Sequence, residues 1–100
     1  MIDISERDLL IIKHILRKHV PDCEVRVFGS RITSKTKKYS DLDLVIIGRE
    51  KLARRVKMLI KEAFEESELS FRVDVLDWYA LSESFKKVIT EEYEVIQNPV

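Results

Sequence analysis

The chain is poor in cysteine: Cys23 is the single one among 100 residues. No internal disulfide can form, so a reducing, cytoplasmic setting is the expectation. Nothing beside Cys23 marks it as a nucleophile, and it is read as apolar filler. Glycine and proline number two each, which leaves no low-complexity tract and no long linker. Net charge is absent too: 18 basic and 18 acidic residues cancel, which argues against a general nucleic-acid coat. No apolar run approaches the roughly 18 residues of a membrane span. The first residues include Asp3 and Glu6 and show no signal-peptide pattern.

What is present is a 45% apolar chain, expected to form one domain over residues 1–100. A core of this size is marginal, and a partner would help it. The charges cluster: Arg31, Lys35, Lys37 and Lys38 crowd one segment, while the stretch from Glu62 to Glu68 is acidic.

Periodicity predicts a helix from Ser5 to about Val20, capped by Ser5 and stopped by Pro21. Glu24 to Phe28 reads as a strand, and Gly29-Ser30 breaks it. Leu42 to Ile47, nearly all apolar, reads as a central strand ended by Gly48. A second helix is expected over Glu50 to Glu66, with Leu52, Val56, Leu59, Ile60 and Ala63 inward. Phe71 to Leu76 reads as a third strand. A last helix is expected over Glu83 to Glu92, with Phe85, Val88 and Ile89 buried and Tyr93, Val95 and Ile96 packing back. The class is α/β (α+β): a small antiparallel or mixed sheet backed by helices.

The chemistry concentrates in VFGSRITSKTKKYSDLDLVII, residues 27–47. Asp41 and Asp43 are two positions apart, which on a strand points both to one face. Taken alone, such a pair serves equally as a solvated strand face. Set in SDLDLVII, it needs a partner, a proton or a metal. A hard cation such as Mg²⁺ suits oxygen ligands and removes the repulsion. Asp74, between valines, would join the pair if its strand lies alongside. It would ligate an ion or take a proton from an attacking hydroxyl, and a structural salt bridge is its plainer role. Asp77 competes but has the opposite strand parity.

Gly29 allows backbone to approach a ligand closely, the amides after it can cradle an anion, and Ser30 can donate to a phosphate oxygen. Arg31 is the best placed cation for phosphate charge. Ser40 can brace the turn into the second strand. Arg72 shares the face of Asp74, and Trp78 and Tyr79 follow as core or partner contacts, or as a base-stacking platform.

Taken together, Gly29-Ser30, the spacer, Asp41 and Asp43, and then Asp74 on a later strand resemble the minimal nucleotidyltransferases of the DNA polymerase beta-like superfamily. The likeness runs over nearly the whole chain. It implies a small mixed sheet packed on helices, and transfer of a nucleoside monophosphate from an NTP, ATP above all, with two Mg²⁺ ions during turnover. It implies that Gly29, Ser30, Arg31 and Ser40 bind nucleotide and that Asp41, Asp43 and Asp74 hold metal and do the catalysis. It also implies pairing with a HEPN-domain toxin whose hydroxyl receives AMP. The alternatives are a non-catalytic module that neutralises such a partner by covering it, and transfer to a small molecule. Relatives often carry a second glycine where this chain has Ser34. The small size implies homo-oligomerisation or a large acceptor, with exposed apolar area. No duplex-gripping domain is foreseen, so no direct nucleic-acid binding is expected.

Overall fold

The computed structural model describes residues 2–32 and 41–100. The elements run α1 (Glu6–His19), β1 (Glu24–Phe28), β2 (Leu42–Ile47), α2 (Arg54–Glu65), β3 (Val73–Asp77), a 3₁₀ turn (Trp78–Ala80), α3 (Glu83–Glu91) and β4 (Glu94–Gln97). They form the small mixed α/β fold expected from the sequence. The four strands lie in the order β3-β2-β1-β4. β1 pairs antiparallel with β2 and β4, and β2 pairs parallel with β3. A parallel pair needs a crossover, and α2 supplies it.

α1 starts where Ser5 Oγ accepts from the Asp8 amide at 3.1 Å. Acids in its first turn and Arg17, Lys18 and His19 in its last match the helix dipole. Its Ile12 and Leu16, with Ile60 and Phe64 of α2, pack on Val25, Val27, Leu42, Leu44, Ile46 and Val75. The opposite sheet face carries Phe28 and Val45, covered by Ile89 of α3. β2 is therefore buried on both faces along its middle, which explains its near-continuous apolar sequence.

Several expectations shift. α2 begins at Arg54, not Glu50, because the preceding stretch is held elsewhere: the Leu52 amide donates to Asp77 Oδ2 at 2.8 Å. Phe64 replaces Leu59 in the core, and Leu59 is exposed. The third strand starts at Val73 rather than Phe71. On α3 only Ile89 is fully buried; Val88 is exposed, and Phe85 sits at the rim, edge-on to Phe28 with ring centroids 5.9 Å apart. The segment after α3 forms a true edge strand, β4, whose buried Gln97 donates from Nε2 to the carbonyls of Val20 (2.8 Å) and Cys23 (2.9 Å). Cys23 is buried, and burial, then the neighbouring Asp22, pushes its thiol above 9.0, in keeping with inert filler. No described helix is long and apolar enough to cross a membrane.

Candidate active site

The site lies at one end of the sheet, where three strands bring their residues into line. Phe28, the last residue of β1, pairs with Asp43 of β2, and Asp43 pairs with Asp74 of β3. Directly paired residues project to the same face, so Asp43 and Asp74 stand side by side. Asp41, two positions back, enters from the same side at the start of β2.

Gly29 turns the chain away just after β1. Its φ is 84°, a left-handed conformation that glycine adopts freely. It also has no room for a side chain: a Cβ there would lie 2.3 Å from Asp43 Oδ2. The Asp43 carboxylate thus rests against the bare backbone of the turn, which the Ile32 amide closes onto the Gly29 carbonyl at 3.0 Å.

This packing sets the electrostatics. Asp43 is pushed up from 3.8 to about 6, first by burial, then by the charge of Asp74, then by Asp41. Each cause penalises the anion, and no cation is among them. Among the described residues, no three acidic, His or Cys side chains converge tightly enough to enclose an ion on their own. The three acids form an open arrangement, with Asp43 half-buried and Asp41 and Asp74 exposed. That still fits Mg²⁺, which is commonly held by one or two carboxylates, with substrate phosphate oxygens and water completing its octahedron.

Other predicted residues are distributed unequally. Ser30 stands in the turn, half-buried. Ser40 lies outside the described residues, as do Ser34, Lys35, Lys37 and Lys38. Arg31 is buried, donates from Nη1 to the Asp3 carbonyl at 2.8 Å, and has its guanidinium 4.1 Å from the centre of the Phe71 ring. These contacts fasten the N-terminal segment to the loop before β3. Asp77 is buried on the opposite face, accepting from the amides of Leu52 (2.8 Å) and Tyr79 (3.2 Å). Tyr79 donates its hydroxyl to the Gly48 carbonyl at 2.7 Å. Trp78 packs in the α3-side core beneath Arg26 and Lys86.

A cavity of about 420 Å³ adjoins Asp74 at the outer edge of β3, with Lys61, Glu65, Phe71 and Arg72 on its walls. No local pattern announces it, because α2 and the loop before β3 meet there only in the folded chain.

A mixed sheet that sets a glycine turn beside acids on two adjacent strands defines a nucleotidyl-transferring class of protein. Residues 9–96 match the nucleotidyltransferase domain family, and the chain belongs to that family. It is 51% identical over 96 residues to a Haemophilus influenzae protein named "Probable protein adenylyltransferase MntA", covering 96% of this chain and 84% of that protein. Its fold is similar to a chain in a crystal structure of a toxin-antitoxin with AMP-PNP (TM-score 0.77, 18% identity, 91% of this chain and 73% of that one). It is also similar to a chain in the complex of tri-AMPylated Shewanella oneidensis HEPN toxin with MNT antitoxin (TM-score 0.71, 16% identity, 95% and 73%). A spectinomycin adenyltransferase from Enterococcus faecialis, solved with ATP and spectinomycin, shares the fold more distantly (TM-score 0.57, 18% identity, 92% and 48%).

Proposed function

We propose that this chain transfers AMP from ATP to a hydroxyl of a HEPN-domain protein, acting as the antitoxin of a HEPN/MNT toxin–antitoxin pair. The observation that carries the chemistry is the register that seats Asp43 beside Asp74 and against Gly29. The half-identical Haemophilus protein, named as a protein adenylyltransferase, supports the reaction type and a protein acceptor. The fold shared with chains of toxin–antitoxin complexes agrees with the pairing.

In this reading the turn at Gly29 admits the triphosphate close to backbone, and the Ser30 hydroxyl donates to a non-bridging phosphate oxygen. Asp41, Asp43 and Asp74 would hold Mg²⁺, two ions during turnover, and the metal supplies charge neutralisation on the triphosphate and on the departing pyrophosphate. The acceptor oxygen forms a bond to the α-phosphorus as the bond to the bridging oxygen of pyrophosphate breaks. The hydroxyl proton passes to the exposed Asp74 carboxylate, on the strand away from the turn. The products are an AMP ester of the partner and pyrophosphate.

The test is to mix the protein with a HEPN-domain partner protein, ATP labelled at the α-phosphate, and Mg²⁺. Label on the partner is expected, with loss of label for Asp43→Asn and Asp74→Asn. Absence of label with folded wild-type protein refutes the transfer reading. A second reading, neutralisation by covering alone, is favoured by exposed Leu10, Met58 and Val88, each more than half accessible. It requires that Asp41→Asn/Asp43→Asn still bind and silence the partner as well as wild type does.

A further inference from the structure

We infer that the exposed flank of α3 beside the acids, Phe85 with Val88, is the wall against which the nucleobase of the triphosphate packs. This rests on the transfer reading above and deepens it, since that reading assigns residues to the phosphates and the metal but none to the nucleoside.

The position follows from the sheet face that α3 covers. Phe28 pairs with Asp43, and Asp43 with Asp74, so the three project from one face in a row across the strands. On that face Phe28 packs with Ile89 of α3, and the Phe85 ring meets Phe28 edge-on, with centroids 5.9 Å apart. Phe85 thus stands over Phe28, one strand across from Asp43. Val88 follows three residues later on the same flank of the helix. Lys86, on the other flank, lies over Trp78. Trp78 follows β3 at the opposite end of the sheet, where Asp77 pairs with Ile46.

The reaction geometry gives this flank its occupant. In-line displacement puts the acceptor and the departing pyrophosphate at opposite apices of the α-phosphorus, with the nucleoside oxygen among the equatorial positions. In the transfer reading the apical axis follows the row from Gly29 toward Asp74, so the nucleoside leaves at right angles to it. Inward along the strands that direction meets α3, whose Ile89 covers Val45, two residues along β2 from Asp43. What α3 shows there is uncharged: Phe85 is 36% exposed and Val88 56%. Among the described residues the exposed aromatic rings are Phe85 and Tyr79, and Tyr79 stands at the far end, bonded to the Gly48 carbonyl. A flat, neutral base gains from an aromatic ring with an apolar neighbour, whereas a phosphate gains nothing from either side chain.

The test measures, by calorimetry with Mg²⁺, the affinities of wild type, Phe85→Ala, Phe85→Leu and Phe85→Tyr for AMP-PNP and for inorganic tripolyphosphate, which has no nucleoside. Phe85→Ala is expected to weaken AMP-PNP about ten-fold or more and to leave tripolyphosphate within about two-fold. Phe85→Leu keeps apolar packing on Phe28 and removes the ring, so it should shift AMP-PNP in the same direction by a smaller factor. Phe85→Tyr should bind both as wild type does. Thermal unfolding checks that the variants are folded, and Phe85→Leu decides the matter if Phe85→Ala is not. Unchanged AMP-PNP affinity in Phe85→Leu and Phe85→Ala overturns the proposal. An equal loss for tripolyphosphate overturns it too, because the ring would then only shape the acid row. Unchanged AMP-PNP affinity with a raised KM for the partner overturns it and assigns the flank to the acceptor protein. Wild type that binds AMP-PNP but labels no partner refutes the transfer reading alone, and the ratio of the two affinities still decides the wall.

Discussion

Replacing Asp43 by Asn should make the metal-free protein more stable while abolishing transfer. The carboxyl is wedged against Gly29 beside Asp74 and Asp41, and it is pushed from 3.8 to about 6. A raised folded-state value means that the native chain binds this proton more tightly than the unfolded chain does. The contribution is thus fully present below about pH 4 and lost as pH rises through about 6. The displacement corresponds to at most about 3 kcal/mol, and partial exposure of the carboxyl screens it to about 1–2 kcal/mol. Asparagine keeps the shape and cannot ionise. In EDTA at pH 8, Asp43→Asn should therefore gain about 1–2 kcal/mol over wild type, or roughly 4–12 °C in Tm. Near pH 4 the two proteins should converge. Mg²⁺ should raise the wild-type midpoint by mass action and leave the variant nearly unmoved. Urea titrations at pH 4 and 8, with and without Mg²⁺, measure all of this. An Asn variant that is less stable than wild type at pH 8 without metal, or a stability difference independent of pH, refutes the electrostatic account of the site.

Gly29→Ala combines a left-handed backbone with a Cβ driven into Asp43; it should cost about 1–3 kcal/mol and reduce labelling of the partner to background, read by denaturation and by transfer assay. Arg31→Ala should lower stability by about 1–2 kcal/mol, through the lost bond to Asp3 and the lost contact with Phe71, with the KM for ATP changed less than about three-fold. Asp77→Ala and Asp74→Ala should separate cleanly: the first strips two amides of their acceptor and costs about 2–4 kcal/mol, while the second leaves the urea midpoint nearly unchanged and removes activity.

The strands that carry the site were legible from residues alone. Glu24–Phe28 and Leu42–Ile47 stand where alternation and apolar continuity put them, and the parity argument paired Asp74, not Asp77, with Asp43. What sequence could not supply was competition for the same groups. Arg31 follows Ser30, and nothing in the local pattern announces its contacts with Phe71 and the Asp3 carbonyl. Asp77 drew the Leu52 amide and so delayed α2, an effect of a residue far along the chain. β4 was hidden because Glu94–Gln97 is short and half polar; its pairing with β1 and the anchoring by Gln97 exist only once the ends of the chain meet. The cavity beside Asp74 arose in the same way, from surfaces that no single segment owns.

That late pairing also has a temporal meaning. β1 leads into the Gly29 turn, and among the described residues its outer edge is completed by Glu94–Gln97. On the ribosome, the strand that precedes Gly29 must wait, with bare amides along one flank, until residues 94–97 have emerged. A nascent chain stalled inside α3 would therefore carry Gly29, Asp43 and Asp74 without the strand that pairs with the outer edge of β1.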